Sequence, residues 1–342
     1  MQRQRARDLG IAPGSIPAGL HNAITDVPGV RVGQVTIDNG ADLHTGVTAI
    51  VPDALIARRA LPAGLFVGNG YGKLVGATQL VELGEIETPI LLTGTLSAFR
   101  VADALVSYML ALPGNDQVRS INPIVGETND GELSDIRSRP VTEEHVFEAI
   151  RSATTGPVAE GCAGAGTGTT ALGFKAGIGT SSRVIELSGR IDPVTLGVLV
   201  QANFGGILTV RGVTIPEGTV DDEVSGDPRE RGNSCMIVVA TDAPLDSRQL
   251  TRLATRAVFG MARVGASYSH GSGDYGIAFS VGEGSSIDGR QIDPLFAAVQ
   301  DAVEEALLNS LFMATTTVGI GGRTVEAVSL DHVRERLARS GR

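Results

Sequence analysis

Apolar residues recur at two spacings along this chain, and the spacings mark out its elements. "NAITDVPGVRVGQVTI" (Asn22–Ile37) opens on turn residues and continues with apolar and polar positions alternating, as in a half-buried strand. "GVTAIVP" and "AGLFVG" read as further short strands, and so do "RVIELSG" and "TLGVLVQANFGG". The helical spacing appears in "KLVGATQLVELG" and "SAFRVADALVSYMLALPG", each closed by a glycine. A third helix, "TEEHVFEAIRSATTG", begins at Thr142 with Glu143 and Glu144 in its first turn, where carboxylates meet the positive end of the helix dipole. "DSRQLTRLATRAVFGMARVG" is an amphipathic helix with Asp246 as its cap. "GDYGIAFSVG" returns as a strand. "DPLFAAVQDAVEEALLNSLFMAT" is apolar around much of its circumference and should be a largely buried helix, whereas "LDHVRERLARSGR" closes the chain as an exposed, charged one. Strands and helices are clustered, which favours stacked layers of sheet and helix over a doubly wound dinucleotide fold.

The pattern breaks sharply once. "PEGTVDDEVSGDPRERGN" is charged and rich in turn residues, and the loop it predicts spans Glu217–Asn233. "SCMIVVA" follows at once, with the look of a buried strand. Its first residue, Ser234, is polar and stands directly behind Asn233. A serine hydroxyl there lies next to the carbonyl of the preceding residue. If the fold strains that bond and excludes solvent, the hydroxyl can attack it, and water can hydrolyse the resulting ester. The new chain would begin at Ser234 with an α-amine of reference pKa about 7.7–8.0, a base beside its own nucleophile. No histidine is required, and the five present, His21, His44, His145, His270 and His332, show no triad context. By itself a serine after a Gly-Asn turn is also ordinary turn chemistry.

Composition narrows the class. The 342 residues suffice for one large domain or two ordinary ones, and 19% charged against 42% hydrophobic is a globular balance. Glycine is abundant at 45 residues without a fixed period, which predicts tight turns and close backbone packing. A net charge of -10 with scattered Lys and Arg argues against nucleic acid as a partner. Cys162 and Cys235 are too few for a disulfide scaffold, lack metal-type spacing, and read as small buried residues. The basic Met1–Arg7 stretch is not followed by an apolar segment, and no apolar run approaches the roughly 18 residues of a spanning helix, so a cytoplasmic protein away from membranes is expected. "GNGYGK" (68–73) superficially suggests a phosphate loop but lacks the Walker spacing, and reads as a tight turn before a helix.

"GNSCMIVVATDAPL", "LGVLVQANFGG", "IVGETNDGELSDIR", "GFKAGIGTSSR", "HGSGDYGIAFS" and "NAITDVPGVRVG" together resemble the L-aminopeptidase D-Ala-esterase/amidase family, which includes the β-peptidyl aminopeptidases. The resemblance runs from about Arg5 to past Ser280. It implies an α/β fold of four layers, an α/β/β/α sandwich laid out like the N-terminal nucleophile hydrolases but with different strand connectivity. It implies a single domain made as a precursor that cuts itself at Asn233–Ser234 into residues 1–233 and 234–342, and a homotetramer. The implied activity is that of a serine aminopeptidase or amidohydrolase, working without metal or cofactor through an acyl-Ser234 intermediate on small peptides, amides or esters with a free amino group. Acyl transfer or other amide hydrolysis on the same fold, and an unprocessed non-catalytic binding homologue, are the competing readings.

The resemblance also implies roles. Ser234 matches the nucleophile and Asn203 the amide that holds the developing oxyanion. Ser272 and Asp274 match a serine–acid pair that fixes the hydroxyl and α-amine, with Asp274 where many relatives carry Glu. Lys175 matches a lysine that some relatives place near the nucleophile. Glu127 matches the acid that binds the substrate amine. Asn129 stands where aminopeptidase relatives often carry a pocket-lining aromatic residue, which leaves the preference for β-peptides or D-residues open.

Overall fold

The computed structural model describes residues 2–188, 190–216 and 233–341. The charged segment expected as a loop therefore lies outside the described residues, except for Asn233. In chain order the main strands are β1 (Val30–Asp38), β2 (His44–Pro52), β3 (Leu61–Gly70), the two-residue β4 (Glu85–Ile86), β5 (Ile90–Gly94) and β6 (Ile124–Thr128). They continue with β7 (Ile178–Ile185), β8 (Val194–Asn203), β9 (Asn233–Thr241) and β10 (Ser272–Ser280). The principal helices are α1 (Ala77–Glu82), α2 (Ala98–Leu110), α3 (Glu143–Arg151), α4 (Ser247–Gly260), α5 (Asp293–Phe312) and α6 (Leu330–Arg339).

Two mixed sheets result. One runs β1-β2-β5-β6, the other β4-β3-β10-β9-β8-β7. Neighbours are antiparallel except β5 with β6 and β9 with β10, which are parallel. Four layers need three interfaces, and the buried apolar residues divide into three clusters. Val101 and Leu105 of α2 and Val146 and Ile150 of α3 cover Val47, Val51 and Leu91 of the smaller sheet. Leu250 and Leu253 of α4, with Val299 and Leu307 of α5, cover Val198, Val200, Ile237 and Val239 of the larger. Between the sheets, Ile50, Ile90, Leu92 and Ile124 meet Leu199, Met236, Val238 and Phe279. The α/β/β/α sandwich follows from this alternation: odd residues of β9 (Cys235, Ile237, Val239) face helices, and even ones (Met236, Val238, Ala240) face the other sheet.

Close packing of the layers explains part of the glycine content. A Cβ on Gly33 of β1 would lie 1.9 Å from the carbonyl oxygen of Ala149 on α3, and one on Gly179 of β7 would lie 1.9 Å from that of Ala306 on α5. Each helix therefore rests on bare backbone in the sheet beneath it. Helix starts follow the expected chemistry. Asp246 Oδ1 accepts from the Gln249 N–H at 2.7 Å while Gln249 Oε1 accepts from the Asp246 N–H at 3.1 Å, a reciprocal capping box on α4. The long helix α5 is buried, and its Glu305 is ion-paired with Arg183 and Arg7, each at 2.8 Å.

Four elements depart from the sequence pattern. β5 and β6 were not anticipated, because five residues buried on both faces show no alternation. The strand expected at "RVIELSG" begins earlier, at Ile178. Its polar Thr180, Ser181 and Ser182 are buried because their hydroxyls donate to Val198 O (2.7 Å), Ala302 O (2.6 Å) and Asp26 Oδ2 (2.6 Å). The first expected helix shrinks to α1, because Gly76 and Gly84 at φ 85° and 66° bracket it with left-handed backbone. Gly179→Ala is expected to lose about 1–3 kcal/mol in urea denaturation, because α5 cannot retreat without opening the core; unchanged stability would refute the close approach.

Candidate active site

Three adjacent strands bring the predicted nucleophile and its expected partners to one end of the larger sheet. Asn203 ends β8 opposite Ser234 of β9, and Ser234 is in turn paired with Gly273 of β10. Residues directly opposite project from one face, and alternation places Ser234 with Met236 on the face turned to the smaller sheet. Ser234 is 4% exposed, and its hydroxyl donates to the Asn233 carbonyl oxygen at 2.6 Å. The oxygen is thus held against the peptide group it would attack. Asn203 Oδ1 accepts the Thr170 N–H at 3.0 Å. A backbone N–H can only donate, so this contact orients the amide with its NH2 end on the other side.

Ser272 and Asp274 flank Gly273 from the opposite face of the sheet. The Ser272 hydroxyl donates to Asp274 Oδ1 at 2.7 Å, and Asn69 Nδ2 donates to Asp274 Oδ2 at 3.1 Å. Burial pushes the Asp274 carboxyl above its usual range, while these two hydrogen bonds favour the charged form. The Asn69 amide also donates to the carbonyl oxygens of Tyr268 (3.1 Å) and Ser269 (3.3 Å), tying the turn before β10 to the acid. Cys235, paired with Asp274 across the ladder, is a buried thiol; burial first and the Asp274 charge second keep it neutral.

Asn69 lies in "GNGYGK", the segment read as a tight turn, and that segment joins two halves of the site. The Tyr71 N–H donates to Ser272 O at 3.1 Å, and the Lys73 N–H donates to Glu127 Oε1 at 2.8 Å. A Cβ on Gly273 would meet Tyr71 O at 2.9 Å; one on Gly72 would meet the Tyr275 ring at 3.0 Å and Glu127 Oε1 at 3.3 Å. A continuous line of contacts therefore leads from Ser234 through Gly273 and Gly72 to Glu127. Glu127 is buried at the end of β6, with the Lys73 ammonium 3.8 Å from Oε1. Its other oxygen, Oε2, is buried without a hydrogen-bond partner. Such an oxygen is poised for a cationic donor.

Two expected residues sit differently. Asn129 folds onto its own turn, its Oδ1 accepting the Gly131 N–H at 2.9 Å, and the aromatic ring beside Glu127 comes from Tyr275. Lys175 is fully buried, and its ammonium donates to the carbonyl oxygens of Gly166 (3.3 Å), Thr169 (2.9 Å) and Ala176 (2.5 Å). Burial lowers its pKa, and the nearby Cys162 opposes that. Its hydrogen bonds thus hold the loop that carries Thr170 to Asn203 and do not reach Ser234, because a buried ammonium must satisfy its donors locally.

Sequence reasoning missed Asn69, Tyr275 and Asp130. Asn69 and Asp130 stood in motifs already singled out, but nothing in their spacing distinguished them from turn residues. Asp130 is fully buried behind Glu127, with Oδ2 unpartnered, and a Cβ on Gly94 would fall 2.5 Å from that oxygen. Burial pushes its carboxyl up to about 6; a hydrogen bond from Thr45 opposes this and the Glu127 charge adds to it. Among the described residues, no group of three His, Cys, Asp or Glu is arranged to hold a metal ion, and no helix is long and apolar enough to cross a membrane.

Residues 22–325 match the profile of peptidase family S58. The chain belongs to peptidase family S58. Across 97% of this S58 chain and 91% of the relative, it is 38% identical to the beta-peptidyl aminopeptidase BapA of Sphingosinicella microcystinivorans. The solved beta-aminopeptidase of a Burkholderia species superposes with a TM-score of 0.88 at 40% identity, covering 99% of both chains. The L-aminopeptidase D-Ala-esterase/amidase of Ochrobactrum anthropi, described as a prototype of the serine aminopeptidases and a variant of the Ntn hydrolase fold, gives a TM-score of 0.88 at 36% identity over 99% of both chains. The S58 chain is accordingly a hydrolase with the Ntn-variant sandwich, as its layers and motifs implied.

The Asp130 carboxyl binds its proton more tightly folded than unfolded, where about 3.8 applies. The folded state thus holds more protons between about pH 4 and 6, and stability falls as pH rises through that window. Chemical denaturation should show a decline of up to about 3 kcal/mol from this group between pH 4 and 7, and Asp130→Asn should remove it. An identical pH slope in the variant would contradict the burial assigned to Asp130.

Proposed function

We propose that this S58 chain is a self-processing serine aminopeptidase that removes a small N-terminal residue from peptides, amides or esters carrying a free amine. The observation that carries the reading is the placement of Ser234, its hydroxyl against the Asn233 carbonyl at the head of a strand between Asn203 and the Ser272–Asp274 pair. In self-cleavage the Ser234 oxygen adds to the Asn233 carbonyl carbon, the C–N bond breaks, and the hydroxyl proton ends on the Ser234 nitrogen. Water then hydrolyses the ester to an Asn233 carboxylate and restores the hydroxyl. Residues 1–233 and 234–342 remain together as two polypeptides of one sandwich.

In turnover the new α-amine takes the Ser234 proton as the hydroxyl attacks the substrate carbonyl, and returns it to the leaving amine. The Ser272–Asp274 pair, braced by Asn69, flanks Gly273, the ladder partner of Ser234, and from there favours the oriented form of that amine. The Asn203 NH2 end supports the oxyanion. Glu127 Oε2 receives the substrate ammonium, and Tyr275 and the Gly72 backbone close the pocket around it, supplying the aromatic wall that Asn129 lacks. This reading suits the β-peptidyl substrates of the BapA relative. A homotetramer, implied by the family resemblance, and a cytoplasmic location, to which two free thiols are suited, complete it.

Intact mass spectrometry of the purified protein is expected to show polypeptides 1–233 and 234–342, and Ser234→Ala a single full-length chain without activity on p-nitroanilides. Turnover by an uncut wild-type chain, or by the variant, would overturn the reading. Asn203→Ala in matured enzyme is expected to lower kcat by about 10²–10³, the usual cost of one oxyanion donor; kcat within a factor of two would remove Asn203 from that role.

A further inference from the structure

The two sides of the Asn233–Ser234 bond are held by different means. On the Ser234 side, β9 is paired with both neighbours, to Asn203 and to Gly273. On the Asn233 side, the β10 ladder pairs Asn233 with Ser272, and the side chain has an anchor of its own. Asn233 Nδ2 donates to Ser269 Oγ at 2.9 Å. Ser269 stands in the turn before β10, where its carbonyl accepts both the Ser272 N–H at 3.0 Å and the Asn69 amide at 3.3 Å. The turn is thereby tied from two directions, and it presents the Ser269 hydroxyl to Asn233. Gly205 shapes the other wall: a Cβ there would lie 3.3 Å from Asn233 Nδ2. A half-exposed asparagine at the head of a strand has several rotamers open to it, and this cradle selects one.

Resting on the self-cleavage proposed above, we propose that Ser269 is a positioning residue for maturation: its hydroxyl fixes the Asn233 side of the scissile bond so that the carbonyl stays in reach of Ser234. The contact acts on the acyl side of a bond that exists once in the life of the chain. After the cut, Asn233 is the end of the larger polypeptide and takes no part in later turnovers. Ser269 donates nothing to Ser234, Asn203, Asp274 or Glu127, and its contact with Asn69 runs through the backbone, which a side-chain change leaves in place. Maturation and turnover therefore depend differently on this one hydroxyl. Other features of the site serve both steps, because Ser234 is the nucleophile in each.

The test follows precursor conversion by gel densitometry in freshly synthesised protein, and then kcat/KM on a p-nitroanilide per matured site. Ser269→Ala is expected to slow conversion about five- to tenfold, the weight of one hydrogen bond in a rate, with kcat/KM of the matured enzyme unchanged. Ser269→Thr, which keeps the hydroxyl, is expected to convert at close to the wild-type rate. Asn233→Ala should slow conversion to a similar degree, and the double variant Asn233→Ala/Ser269→Ala no further, because the two side chains act through one contact. Wild-type conversion in Ser269→Ala, equal losses in conversion and in kcat/KM, or additive slowing in the double variant would each overturn the proposal. A wild-type chain that is never cut would overturn the self-cleavage reading itself, an outcome separate from these three.

Discussion

The pairing of Ser234 between Asn203 and Gly273 is the constraint on which the rest of the site depends. A strand repeats every two residues, so register decides which face each side chain takes; a slip of one residue would send Ser234 to the helix side and Cys235 to the sheet side. The register is secured far from the chemistry. Cys235, Ile237 and Val239 must meet α4 and α5, while Met236, Val238 and Ala240 must meet the smaller sheet. A polar residue at the head of the strand thus inherits its position from five apolar residues and one alanine behind it. Hydrophobic burial sets the register, and the proposed nucleophile is carried along.

The second theme is how the molecule treats buried charge. Glu127, Asp130, Asp274 and Lys175 are all almost without solvent contact, yet their surroundings differ. Lys175 is surrounded by carbonyl oxygens and serves the loop behind Asn203. Asp274 receives two side-chain donors, which suits the orienting role proposed for it. Glu127 and Asp130 each keep one oxygen unmatched. Unmatched oxygen in a dry site is costly, and such groups persist where a ligand supplies the missing partner or a proton removes the charge. The first fits Glu127, which lies on the line of contacts from Ser234. The second fits Asp130, whose carboxyl holds its proton to about pH 6.

The glycine-rich segment at the end of β3 shows how a motif can be visible and still be misread. "GNGYGK" reads as a turn, yet its first three residues end β3 against β10 and only Tyr71–Lys73 leave the strand, and alternate residues make contacts around the site. Asn69 braces Asp274, Tyr71 pairs with Ser272, and Lys73 presents its N–H to Glu127. Glycines at 72 and 273 let the two backbones approach more closely than side chains would allow. No local spacing announces this, because the partners lie 54 to 205 residues away in sequence.

What the sequence determined by itself was local or compositional: the amphipathic helices, the buried α5, the Asp246 cap, the break before Ser234, and a layered α/β fold with its family. These follow from periodicity and from motifs whose residues stand side by side. Only tertiary structure decided that β5 and β6 complete the smaller sheet, that the ammonium of Lys175 is spent on the loop behind Asn203, and that Tyr275 stands beside Glu127 where Asn129 offers no ring. Asn69, Asp130 and Ser269 acquire meaning in the same way. A hydrogen bond or buried charge between distant segments is set by how layers stack, and stacking is a property of the whole chain that no window of residues contains.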